Sequence, residues 1–298
     1  MYQVISKPFA TNFSQQPQPD FFVIDGQKKA ICGLWVNDNV GIIGHFSMAN
    51  ADEISGALDF CCKFLAEQGC QSILGPMNGN TWFTYRFVSW SSERAPFFME
   101  PTQPAPILQA WLANGFIVDQ TYISSEQTIS EINENKYTLD SDFHLSYIDL
   151  NQFEAELDRL YQISIEAFAD NVYYSNISKA GFFALYSPLK NKIQSSNMLL
   201  LKTNDGEVAG YLFGIPDLLQ ITPDTYIIKT LAVHPKYRSK HLGSYLVNRC
   251  LCDAYKNGFK KIIHALMHSA NNSTKIGKDF TVIREYVLLK KNLVCGKQ

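Results

Sequence analysis

Apolar positions along the chain alternate between two spacings, and the places where the spacing changes mark its elements. In the second half, SYIDL (146–150) reads as a short strand. Phe153, Leu157, Leu160, Tyr161 and Phe168 then recur at helical intervals behind Asn151 and Glu154, which predict a helix cap. An aromatic-rich helical stretch is predicted at about 177–193, after the loop ADNVYYSN. Two strands follow, NMLLLKT (197–203) and EVAGYLFGI (207–215), joined by Asn204-Asp205-Gly206, a strong hairpin signal. TYIIKTLAV (225–233) is a third strand, and Leu242, Leu246, Val247, Cys250, Leu251 and Ala254 then share one helix face that Gly258 terminates. KKIIHALMH (260–268) and a run near 281–289 complete the strands.

The first half repeats part of this order. VGIIGHFSM (40–48) reads as a strand, and Asn50 with Glu53 caps a helix whose apolar face is Ile54, Leu58, Cys61, Cys62 and Leu65. Gly69 stops that helix before the strand QSILGP. Strands and helices mixed in this order predict an α+β fold. The polar stretch 124–142, SSEQTISEINENKYTLDSD, reads as a linker or an edge hairpin, which places one boundary near residue 140 and divides the chain into 1–140 and 141–298.

Charge sharpens the picture. Residues 229–261 hold eight Lys or Arg against one acid, Asp253, whereas the whole chain carries a net −2. A compact basic patch on an otherwise acidic protein suits a small polyanion better than a nucleic-acid track. Seven cysteines without zinc-site spacing read as small core residues, and no metal site is expected. With no apolar run long enough to cross a bilayer and no secretory pattern in MYQVISKPFATNF, the expected location is cytoplasmic, away from the membrane.

The patch centres on TLAVHPKYRSKHLGSYL (230–246), where a strand ends, Lys236, Arg238 and Lys240 gather, and a helix opens at Leu242. The first-turn amides of such a helix point into the connecting loop, and with the positive end of the helix dipole they form an anion site. Gly243 lets a ligand approach without meeting a Cβ atom, and Arg238 and Lys240 can add charge-assisted bonds.

This turn resembles the cofactor signature of the GNAT superfamily of acyl-CoA N-acyltransferases, Gln/Arg-x-x-Gly-x-Gly/Ala, written here Arg238-Ser239-Lys240-His241-Leu242-Gly243. First and last positions match, and His241 stands where the family has glycine, a departure tolerated if that residue keeps a negative φ. The resemblance covers about 146–290 in element order. It implies two GNAT-like domains, each a mixed, mostly antiparallel sheet flanked by helices, with acetyl-CoA or another acyl-CoA held by the second. It further implies backbone contacts to the cofactor from Leu231, Ala232 and Val233, loop contacts through Ser244, and side-chain contacts from Asn271 or Asn272. The first half resembles the family through its strand-helix-strand core and ILQAWLANGF (107–116) but lacks the basic turn, so it reads as degenerate.

The implied reaction is N-acyl transfer to a small-molecule or peptide amine. The segment 272–280 has no tyrosine to protonate the leaving thiolate, which leaves Tyr286 on the last strand and His268 as candidates. His264 reads as a satisfied core residue. Glu166 and Asp170 could bind or deprotonate the amine, and Asn78, Trp82, Tyr85 and Arg86 in GPMNGNTWFTYRF (75–87) could line its pocket or pack an interface. Two alternatives stay open: a non-catalytic acyl-CoA sensor or docking module, and a peptidyltransferase-like protein using aminoacyl-tRNA. The sequence leaves the oligomeric state open.

Overall fold

The computed structural model describes residues 1–6, 17–27, 29–47, 50–104, 106–129, 133–271 and 280–293. In chain order its elements are β1 (Gln3–Ile5), β2 (Phe21–Ile24), β3 (Ala30–Asn37), β4 (Val40–Gly44), α1 (Ala51–Glu67), β5 (Ser72–Gly75), β6 (Phe87–Ser91), α2 (Pro106–Ala113) and β7 (Ile117–Thr128). Then come β8 (Phe143–Tyr147), α3 (Phe153–Ala167), α4 (Lys179–Tyr186), β9 (Met198–Thr203), β10 (Val208–Pro216), β11 (Thr225–Val233), α5 (Leu242–Lys256), β12 (Lys261–His268) and β13 (Thr281–Asn292).

Two compact units form, and they are not consecutive segments. The first holds Met1–Ser91, Pro101–Tyr122 and Glu285–Gln298, and the second holds Ser92–Glu100 and Ile123–Arg284. The single boundary expected near 140 therefore does not describe them. Each unit is completed by a strand from the far half of the sequence. In the first, β13 pairs antiparallel with β5 from Leu289 against Gly75 onward, and Val287 and Leu289 sit in the core with α1. In the second, residues 123–128 of β7 flank β12.

The stretch read as a linker is thus a strand as far as Thr128. Its polarity misleads because the polar groups are buried with partners: Ser124 and Ser125 are enclosed, and Glu126 pairs with Arg94 and Lys261. The segment Ser92–Glu100 is held in the same unit by a fully buried ion pair, Glu100 with Arg284 at 2.8 Å.

In the first unit, β1 to β5 lie side by side in sequence order, β4 parallel to β5 and the rest antiparallel. The spacing of apolar residues left β1 to β3 unmarked, since β3 is buried on both faces and shows no alternation. Asn50 caps α1 as expected, its Oδ1 accepting from the amides of Asp52 and Glu53. Gly69, at φ +86°, ends it with amide bonds from Gly69 to Ala66 and from Cys70 to Leu65. The expected strand 40–48 stops at Gly44, and Met48 lies outside the described residues.

In the second unit the strand order is β7, β12, β11, β10, β9, β8, with β11 and β12 parallel. The turn at Asn204-Asp205-Gly206 joins β9 to β10, Gly206 taking φ +90°. The core under α5 gathers Leu242, Leu246, Val247, Cys250 and Ala254 against Leu201, Leu212 and Ile262. The helix ends at Gly258, at φ +83°.

Candidate active site

Strands β11 and β12 begin side by side and then part. Their parallel register runs from Thr225 against Lys261 to Ile228 against His264, yet β11 continues to Val233 and β12 to His268. Two local irregularities drive them apart. On β11, Lys229 is an extra residue, because Phe213 faces Thr230 while Gly214 faces Ile228. On β12, Leu266 takes φ +59°, a left-handed conformation that costs roughly 1–2 kcal/mol outside glycine. Its amide donates to the buried Ser124 Oγ at 2.9 Å, which fixes the bend.

Among the described residues, the parting leaves one edge of β11 without a strand partner. The His234 amide donates to Ala209 O, so in the alternating antiparallel ladder Ala232 also turns its peptide groups to β10. Leu231 and Val233 turn theirs the other way, to the parted edge. Of the three residues expected along a cofactor arm, Leu231 and Val233 present backbone groups there, and the buried Ala232 does not.

Beyond β11, Pro235–Tyr237 form one 3₁₀ turn, and α5 opens at Leu242. The first intrahelical bond runs from the Tyr245 amide to His241 O, so the amides of Leu242, Gly243 and Ser244 lie ahead of the ladder. His241 supplies no side-chain cap. The contrast with α1 is direct, for there Asn50 and two acids already satisfy the first turn. A Cβ placed on Gly243 would meet only Leu231 and Val233 side chains at 3.7 Å, so the side facing the loop is open.

His241 does not keep a negative φ. It sits at φ +56°, and Ser239 at φ +77°. The position thus retains the left-handed backbone that glycine favours, carried by one of the side chains that tolerate it better than most. Arg238, Ser239, Lys240 and His241 are all exposed. The cations of the turn are held by carboxylates: Arg238 Nη1 donates to Asp170 Oδ2 at 2.9 Å, and Lys240 lies 3.5 Å from Asp142 and 3.6 Å from Asp140. His234 Nε2 lies 3.0 Å from Glu166 Oε2. Glu166 and Asp170, expected at the acceptor, are instead engaged with the loop. Exposed pairs of this kind contribute about 0–1 kcal/mol each, so a phosphate can compete for the same cations.

At the end of β12, His268 is half-buried, and its Nδ1 accepts from the Ala270 amide at 3.1 Å. Asn271 follows in the turn, exposed, and Asn272 lies outside the described residues. His264 is a core residue, as expected, but its buried Nε2 has no hydrogen-bond partner among the described residues. Burial holds its pKa down to about 4, so the ring is neutral.

The remaining candidates belong to the first unit. Tyr286 is completely enclosed there and has no exposed hydroxyl to offer a thiolate. Arg86 is buried between the Tyr85 and Tyr122 rings, 3.9 Å from each centroid, and Trp82 is half-buried. Asn78 accepts from the His45 amide at 2.7 Å, while the Met77 amide donates to Ile43 O at 3.0 Å. These bonds close β4 onto the chain leaving β5. Gly44 is required there, since a Cβ would come 2.0 Å from Met77 O. Asn78, Tyr85 and Arg86 therefore pack and seal this unit instead of lining an open pocket. No sequence signal marked the parted register of β11 and β12 or the Leu266 bend, since both arise from tertiary pairing.

The parted edge and uncapped helix fit a nucleotide-linked thioester, with amides and cations for its phosphates and a strand edge for its amide-bearing arm. Residues 157–275 match the model of the Acetyltransferase (GNAT) family. That match lies within the second unit. A GCN5-related N-acetyltransferase from Sphaerobacter thermophilus superposes with a TM-score of 0.55 at 11% identity, over 95% of this chain and 82% of that one. A tandem GNAT protein from the clavulanic acid biosynthesis pathway gives 0.51 at 9% identity, over 91% and 82%. The chain has the α+β two-domain GNAT fold. No curated protein matches it in sequence.

Proposed function

We propose that the protein is an acyl-CoA-dependent N-acyltransferase whose one cofactor site lies in the second unit. The observation that carries this is the unpaired edge at Leu231 and Val233 leading into a helix whose first turn is uncapped. Acyl-CoA, when bound, supplies an acyl group activated as a thioester. The amides of Leu242, Gly243 and Ser244, with Arg238 and Lys240, hold the phosphates. Leu231 and Val233 hold the arm, and their amides polarise the acyl carbonyl. His268, with Nδ1 committed to Ala270, keeps its neutral-state proton on Nε2. Its Nε2–H donates a hydrogen bond to the departing thiolate, and the proton that the acceptor nitrogen sheds as the amide bond forms reaches that sulfur through solvent.

The burial of Tyr286 favours a second reading, a binding module without turnover. One pair of measurements tests both. Acetyl-CoA at about 100 times its dissociation constant should stabilise the native protein by roughly 2.7 kcal/mol, read as a raised melting temperature. Free thiol release should then require an added amine from a panel. Stabilisation without thiol release selects the binding module, and no stabilisation at millimolar acetyl-CoA removes the cofactor site.

A further inference from the structure

The cleft between β11 and β12 stands open against two forces that would close it. A strand edge gains by taking up a neighbouring strand, and β12 lies beside β11 up to their last shared pair, Ile228 with His264. Leu266, at φ +59°, would also shed the cost of its left-handed backbone if β12 ran straight. An open cleft therefore needs a restraint on each strand.

On β12 the restraint is Ser124. Its Oγ accepts from the Leu266 amide at 2.9 Å, and the serine is completely enclosed, so packing fixes where that oxygen stands. Because this acceptor is a side chain, Leu266 leaves the regular ladder that the neighbouring strands β7 and β12 would otherwise continue. On β11, Lys229, the extra residue of the bulge, donates from Nζ to Met99 O at 3.1 Å. Both anchors are themselves held. Glu126, two residues beyond Ser124, pairs with Arg94 and with Lys261 at 2.9 Å, and Arg94 lies 3.4 Å from the buried Asp217. Next to Met99, the Phe98 amide donates to the same Asp217 at 2.9 Å. Ser124 and Met99 both precede residues 157–275, the segment that matches the family.

Resting on the acyl-CoA reading above, we propose that Ser124 is a positioning residue of the cofactor cleft, holding β12 away from β11 so that Leu231 and Val233 stay free for the arm of acyl-CoA. Ser124→Ala removes the acceptor without adding bulk, and the orphaned Leu266 amide then favours the closed arrangement. Apparent affinity falls with the open fraction, so acetyl-CoA should bind roughly tenfold more weakly in titration calorimetry of the full chain. In the free variant the Leu231 and Val233 amide hydrogens should exchange about tenfold more slowly than in wild type, a change that loosened packing would not produce. Leu266→Gly, added to Ser124→Ala, removes the left-handed cost and should recover most of the lost affinity. Ser124→Cys, a weaker acceptor of similar size, takes the place of the alanine variant should that not fold. Wild-type affinity in the folded variant, or weakened affinity without slowed exchange, overturns the assignment and leaves the cofactor site standing. Failure of the wild-type protein to bind acetyl-CoA removes the cofactor reading instead, and the exchange comparison then decides alone whether Ser124 holds the strands apart.

Discussion

Single residues decide whether the second unit can hold a phosphate-bearing ligand. Gly243 is the most exposed to test, because the room around it accepts a side chain without disturbing the core. Gly243→Glu should fold with a near wild-type melting temperature and lose acetyl-CoA binding, since it sets a carboxylate where phosphate should lie. Unchanged affinity in a calorimetric titration would place the ligand elsewhere. His264 governs acid sensitivity instead. Its folded pKa of about 4 lies below its ordinary value of 6.5, so the unfolded chain binds the extra proton first. Stability is complete above pH 6.5 and falls by about 3 kcal/mol as pH drops toward 4. His45, in the first unit, is depressed to about 4 in the same direction. His264→Leu should therefore flatten only part of the acid limb in a melting series from pH 7.5 to 4. An unaltered profile would show that the imidazole is not buried in solution.

At the level of elements, the two units differ in how one pair of parallel strands ends. Beyond their shared register β11 and β12 diverge, whereas β4 is tied to the segment after β5 by Met77 and Asn78. One cofactor per chain is the expected stoichiometry in calorimetry, and two equivalent sites would mean that the first cleft opens. Much of the second unit was legible beforehand, because its helices carry amphipathic faces with recognisable stops and Asn204-Asp205-Gly206 fixes a hairpin. TYIIKTLAV was legible to the residue, since β11 spans Thr225–Val233. What failed was polarity as a guide: Ser124 and Glu126 read as linker, yet Leu266, which donates to Ser124, and Lys261, which pairs with Glu126, lie more than a hundred residues away. The basic turn was visible as a charge cluster. Its acidic counterparts, Asp142, Glu166 and Asp170, were not, because distant pairing leaves no trace in local spacing.

Across the whole molecule, the units cannot be separated by one cut. A fragment of residues 1–140 would lack Val287 and Leu289 from its core, and one of residues 141–298 would lack the strand of Ser124 and Glu126. Each should be insoluble or show no cooperative unfolding by circular dichroism, while the two expressed together should recover the melt of the intact chain. A cooperative transition in either fragment alone would show that its borrowed strand is dispensable. The exchange also has a consequence on the ribosome. Leu289 stands opposite Gly75, so 214 residues of translation separate the two halves of one strand pair. At roughly 5–20 residues per second, the nascent first unit waits on the order of ten to forty seconds with its sheet unfinished. During that wait β5 offers an open backbone edge to any passing strand, and chaperone demand should peak there and end with the arrival of β13.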